Sequence, residues 1–172
     1  MKYQYPIRLA LIALLLVFGV VLQVQKGFYA SFYLFAAAGL LLAGHAALGT
    51  VYPTFQALRR GATQEAEALL RQTWNPRWLL PRLRTYYFHT KGMIALKSHR
   101  LDEAELLLRK ALELKPKRPL DRAYLNLNLA HIEYLKKDSL ASRKYLGLAK
   151  AENVNDLLLK SHIEQLEKAL LQ

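Results

Sequence analysis

The chain has 172 residues, 53% of them hydrophobic, a formal net charge of +12 and no cysteine. The missing cysteine excludes a disulfide framework and a thiolate zinc site. Lys2, Arg8 and Lys26 are the only basic residues before Pro53, and no acidic residue precedes Glu65. Of 25 basic residues, 22 therefore follow Pro53 together with all 13 acidic ones, a balance of +9. Such an excess suits anionic lipid, nucleic acid or an acidic protein, and beside a membrane anchor lipid is the simplest choice.

The first half reads as that anchor. "IRLALIALLLVFGVVLQV", residues 7–24, is long enough to cross a hydrocarbon core as a helix. "FYASFYLFAAAGLLLAGHAALGTVY", residues 28–52, is longer and would cross with some tilt. Only "QKG" separates them, which predicts a tight antiparallel hairpin over residues 1–53. A cleaved signal peptide fits less well, because no Ala-x-Ala-type site stands near residue 25 and a second apolar segment follows at once. Lys2, Arg8, Arg59 and Arg60 flank one side and Lys26 alone the other, so both termini are expected to be cytoplasmic. Tyr3, Tyr5, Phe28, Tyr29, Tyr52 and Phe55 are placed as interfacial anchors. Gly39, Ala43 and Ala47, with His45 and Gly49 extending the face, give small-xxx-small spacing suited to packing against the first span or a partner's span. His45 has no second acid or base beside it, so a packing role is expected rather than a proton relay.

The remainder, residues 54–172, is predicted to be all-α. "TYYFHTKGMIALKSHRLDEAELLLRKALELKP", residues 85–116, splits by helical periodicity into two amphipathic helices around "SHR". Small residues recur where the two must touch: Gly92 and Ala95 on the first, Ala104 and Ala111 on the second. With Leu108 between the alanines, Pro116 ending the second helix and Phe88 in an aromatic position, the stretch resembles a tetratricopeptide repeat. A second unit repeats the pattern, with Ala130, Ser142, Leu146 and Ala149 standing for Gly92, Ala104, Leu108 and Ala111. An upstream half-match has Ala66 and Leu70 in place, with Thr73 instead of the second alanine. Ala66, Ala104 and Ser142 are 38 residues apart each time, against a family period of about 34. About four added residues are then expected in each connection, at "NPRWLLP" and "KRPLD".

The resemblance implies repeats over about 47–80, 85–118 and 123–154 in a short α-solenoid. In the first of these the leading helix would run from Ala47 to Arg60 off the second span, kinked by Pro53; the alternative is a kinked juncture with no true first repeat. "NDLLLKSHIEQLEKALLQ", residues 155–172, would be the capping helix, with Leu158, His162, Leu166 and Leu170 on one face and Leu159 and Ile163 beside them; an exposed oligomerisation helix is the lesser alternative, since stacking leaves a face wanting cover.

Members of this family bind peptides or protein surfaces in the groove lined by each first helix. Carried onto this chain, the groove positions are Tyr86, His89, Met93 and Lys97, then Tyr124, Leu127, His131 and Tyr134. A carboxylate clamp is not expected, since its lysine and asparagine are replaced by His89, Met93, Leu127 and His131. A second candidate surface is "RQTWNPRWLLPRLRTYYFHTKG", residues 71–92, where Arg71, Arg77, Arg82 and Arg84 interleave with Trp74 and Trp78 and no acid occurs between Glu67 and Asp102. Arginine with tryptophan suits a lipid headgroup boundary; the alternative is a loop whose tryptophans plug a gap between helices.

No HExxH, acidic cluster, glycine-rich phosphate loop or GxSxG motif occurs, so no metal, cofactor or catalytic residue is expected. No nucleic-acid module is recognisable, and nucleic acid is not an expected partner. The leading expectation is a non-enzymatic, membrane-anchored adaptor that assembles proteins at the cytoplasmic face. The alternatives are an accessory subunit held through its spans, and a regulator of lipid or envelope metabolism. Two spans followed by such repeats also occur in bacterial inner-membrane proteins, which by analogy suggests that location.

Overall fold

The computed structural model of the chain describes residues 4–48 and 50–171; the side chains of residues 4–6, 8 and 46 lie outside what it describes. Lys2, Tyr3 and Gly49, and the side chains of Tyr5 and Arg8, are thus outside the described residues. All regular structure among the described residues is helical. The chain divides into two compact units, Met1–Gly49 and Thr50–Gln172.

The first unit is a pair of helices, α1 (Gln4–Lys26) and α2 (Phe28–Leu48), packed on each other. Gly27 alone links them, at φ +84°, a left-handed conformation that only glycine adopts without strain. Segments Leu9–Lys26 and Phe28–His45 have mean hydropathy 2.2 and 1.4 and are long and apolar enough to cross a bilayer. The close approach between the helices is made by Gly19, where a Cβ would stand 2.9 Å from the Phe35 ring. Gly39, expected to serve that purpose, is exposed, with nothing within 4 Å of an added Cβ. Ala43 is exposed as well, while His45 is buried.

The second apolar helix stops at Leu48, and α3 (Val51–Arg59) begins afresh, in place of the single kinked helix that the sequence suggested. Pro53 explains the break. A proline inside a helix lacks the N–H that would bond back four residues, and its ring crowds the carbonyl there. In the first turn of α3 neither defect matters, because N–H groups there have no intrahelical partner.

From α3 onward the helices form antiparallel pairs: α3 with α4 (Thr63–Arg71), α5 (Pro81–Lys97) with α6 (Leu101–Glu113), and α7 (Pro119–Leu135) with α8 (Ser139–Ala151). Each later first helix also packs on the preceding pair, α5 on α3 and α4, α7 on α5 and α6. Helix α9 (Leu157–Leu170) closes the series against α7 and α8.

A 38-residue period is written into the backbone. Gly61, His99 and Lys137, 38 residues apart, take φ of 79°, 57° and 65° at the end of each first helix. After each, an N–H reaches back five residues: Ala62 to Ala57, Arg100 to Ala95 and Asp138 to Glu133, at 3.0, 2.9 and 2.9 Å. These left-handed turns satisfy the terminal carbonyls and reverse the chain. The same offset relates Lys115 and Asn153, φ 49° and 46°, at the ends of α6 and α8. It also relates Pro81 and Pro119, which open α5 and α7 at the position where a missing N–H costs nothing.

Within the pairs, small residues set the spacing. A Cβ on Gly92 would lie 2.9 Å from Leu108 Cγ and 3.3 Å from the Ala104 carbonyl oxygen. Ala104, Leu108 and Ala111 are fully buried, as are Ala130 and Ser142 in the next pair. The Ser142 hydroxyl donates to the Ala130 carbonyl at 2.8 Å, so its polarity is absorbed. In the first pair, Thr73 stands just past α4 and shares a 2.8 Å hydrogen bond with the buried Thr50 hydroxyl, which also donates to the Leu69 carbonyl at 2.5 Å. "KRPLD" does not form an extended loop: Pro119, Leu120 and Asp121 lengthen α7, which like α5 has 17 residues against 13 in α6 and α8.

On α9 the buried face is Leu159, Ile163 and Leu166, packed with Leu127, Leu146 and Ala149. Leu158 and His162, expected to face inward, are exposed. Asp156 fixes where the helix begins, its carboxylate capping it by accepting from the Leu159 N–H at 2.8 Å.

Candidate functional site

The eight groove positions divide into two groups. Tyr86 and Tyr124 are structural ties. Tyr86 packs against Phe55, ring centroids 6.4 Å apart, and donates its hydroxyl to Asp121 on α7 at 3.0 Å. Tyr124, 38 residues on, donates to Asp156 at the start of α9, also at 3.0 Å. Burial and the neighbouring Asp156 carboxylate push the Tyr124 phenol up to about 12, while the Leu159 N–H and the Tyr124 hydroxyl hold Asp156 below its usual value. One phenol–carboxylate bond thereby latches α5 to α7, and a second latches α7 to the start of α9. Leu127 is buried beneath α9 and offers nothing to a partner.

The other five reach the surface to differing degrees. His89 and Met93 are half-buried; Lys97, His131 and Tyr134 are exposed. Spacing puts His89, Met93 and Lys97 on one stripe of α5. The matching stripe of α7 is Tyr124, Asn128, His131 and Leu135, four, three and four residues apart. Asn128 therefore takes the place assigned to Leu127. Its side-chain nitrogen lies 3.1 Å from His89 Nε2. With the amide nitrogen donating, Nε2 accepts and the ring proton sits on Nδ1. Burial favours this neutral imidazole and pulls its pKa down from 6.5 to about 4, against the opposing pull of Asp121. His131 is also shifted down by desolvation.

The second surface lies in residues 72–80 and the start of α5. Asn75 caps a single 3₁₀ turn (Pro76–Trp78), its side chain accepting from the Arg77 N–H at 2.9 Å. Arg84 is not a surface charge. Its guanidinium donates to the carbonyls of Pro76 at 3.1 Å and Leu79 at 3.4 Å, and to that of Arg77. Leu79 is buried at 2% exposure in the core formed by α3, α4 and α5. Trp74 and Trp78, by contrast, are 57% and 58% exposed, with Leu80 at 50%. Leu79 is therefore the plug, and the tryptophans stay outside. Arg71, Arg77 and Arg82 are exposed around them. Arg71 pairs with Glu67 at 3.0 Å, and Arg82 lies over the Tyr86 ring, 5.8 Å from its centroid.

Three features here escaped sequence reading: Asn128, the Asp121 and Asp156 acceptors, and Leu79. The latches had a signal, since each tyrosine of the 38-residue pair has an aspartate near the start of the next helix. Asn128 was available from strict four-residue spacing after Tyr124. Among the described residues, no three histidine, aspartate or glutamate side chains come together to hold a metal ion. No protein-family model, curated protein or solved structure matches the chain.

Proposed function

We propose that this chain is a non-enzymatic adaptor of the tetratricopeptide type. In this reading α1 and α2 anchor it as a two-span membrane hairpin with both termini cytoplasmic. The paired helices then bind or assemble protein partners on the surface formed by His89, Met93 and Lys97 of α5 and Asn128, His131 and Tyr134 of α7. The observation that carries the reading is the 38-residue recurrence of backbone turns, at Gly61, His99 and Lys137, together with a closing helix. Such stacked repeats offer a continuous surface built from first helices. The stripe on α5 and α7 is rich in amphipathic side chains of the kind that anchor protein interfaces.

The partner class is protein, with anionic lipid as a second contact. A cytoplasmic-facing bacterial inner membrane remains the location favoured by analogy. The accessory-subunit alternative keeps one specific support: Gly39 is exposed, leaving a small-residue face on α2 open to another helix.

The test is photo-crosslinking in native membranes, with a benzophenone side chain placed at Lys97 or His131 and, for comparison, at Gly39. A discrete crosslinked protein from the first two positions, lost in Lys97→Glu/His131→Glu with helicity unchanged, is the expected result. Crosslinks from Gly39 alone would overturn the groove reading and favour an accessory subunit. Tyr86 and Tyr124 are unsuitable for this test, because their hydroxyls hold the helices together.

A further inference from the structure

We propose that the segment from Arg71 to Arg82 is a bilayer-contact element: Trp74, Trp78 and Leu80 enter the headgroup boundary of an anionic membrane while Arg71, Arg77 and Arg82 meet its phosphates. This goes beyond the protein-binding stripe, but rests on the same membrane anchoring by α1 and α2.

The segment is held so as to present its apolar groups outward. Leu79 is sunk in the core, and the Arg84 guanidinium grips Leu79's own carbonyl and that of Pro76 at the start of the turn. With Leu79 fixed inward, its neighbours Trp78 and Leu80 project to the surface, each at least half exposed. Trp74 is equally exposed before the turn. Large apolar side chains grouped in a few residues of surface mark a contact site, whereas scattered ones do not.

Charge selects the occupant. No acidic residue occurs between Glu67 and Asp102, while seven basic ones do. Glu67 itself is paired to Arg71. Tryptophan ringed by arginine suits a headgroup layer, where the ring is half solvated and the guanidinium meets phosphate. The same chain carries two helices of bilayer length, so lipid is the anionic surface to which this segment is covalently tied. Arginine and tryptophan would suit an acidic protein as well; the two bilayer-length helices on the same chain are what favour lipid.

The chain contains only two tryptophans, and both are in this segment, so intrinsic fluorescence reads it directly. The full chain is reconstituted into phosphatidylcholine vesicles with or without phosphatidylglycerol, and flotation establishes that it is membrane-bound. The expected result is blue-shifted emission and roughly two-fold quenching by lipids brominated on their acyl chains. Both effects should weaken in vesicles lacking phosphatidylglycerol, at high salt, and in Arg77→Gln/Arg82→Gln. Trp74→Phe and Trp78→Phe assign the signal to each ring. Protein that floats with the vesicles but emits as in water, quenched by acrylamide and not by brominated lipid, would overturn the proposal and leave the anchor intact. Blue-shifted emission indifferent to brominated lipid would also overturn it, since the rings would then be covered by protein. Failure to float would overturn the anchor itself, and this proposal with it.

Discussion

Two glycine-to-alanine substitutions should have opposite signs. Gly92 and Gly147 both lie inside helices, where replacing glycine by alanine gains about 0.5–1 kcal/mol from backbone entropy and propensity. At Gly147 the new methyl meets nothing within 4 Å, so the gain should appear in full. At Gly92 it arrives 2.9 Å from Leu108 Cγ, 3.0 Å from Leu108 Cδ2 and 3.3 Å from the Ala104 carbonyl oxygen. Leu108 is fully buried and Ala104 O is backbone, so neither yields freely. Overpacking of this kind costs about 1–3 kcal/mol. Gly92→Ala should therefore lose about 1 kcal/mol net, and the two variants should differ by roughly 2 kcal/mol, a gap wide enough to survive extrapolation error. Urea unfolding of the full chain in mild detergent, followed by tryptophan emission, measures both. Equal stabilisation by the two alanines would refute the close crossing of α5 and α6 at Gly92.

Leu79→Ala should cost about 2–4 kcal/mol by leaving a cavity in the core and should release the loop, read as increased proteolysis at residues 72–80. Tyr86→Phe should cost about 1 kcal/mol through loss of the Asp121 hydrogen bond while keeping the ring packing, a urea-midpoint shift that Tyr86→Ala should exceed. The His89 imidazole has a folded pKa depressed to about 4 from 6.5, so the unfolded chain takes up its proton first as pH falls. Stability should therefore be full above pH 6.5 and decline between 6.5 and about 4. That component should be absent from His89→Gln, and identical pH profiles for the two proteins would refute the desolvated, neutral ring.

The repeat was legible because its spacing is carried by residues with one task each. Ala66, Ala104 and Ser142 must be small, and their 38-residue interval survives in the helix turns. What stayed hidden depends on which of two adjacent residues wins a place. Periodicity does not distinguish Leu127 from Asn128, or Leu158 from Leu159; the choice falls to what α9 must cover. Gly39 looked like a packing residue because small-xxx-small spacing is common, whereas Gly19 is a lone glycine that shows its purpose only beneath the Phe35 ring. Arg84 read as surface charge because composition does not reveal that three carbonyls converge on one guanidinium. The start of α3 at Val51 was signalled by Pro53, a residue suited to the first turn of a helix.

The absence of cysteine makes the most direct test simple, because any introduced thiol is unique. Cysteine is placed at Gln25 beside the α1–α2 turn, or at Lys97 on α5, in the full chain expressed in cells. A membrane-impermeant maleimide is then applied to intact cells and, separately, to opened ones. A hairpin anchor with cytoplasmic paired helices predicts labelling of Gln25→Cys in intact cells and of Lys97→Cys only after opening. Labelling of Lys97→Cys in intact cells, or recovery of the protein in the soluble fraction, would contradict the account.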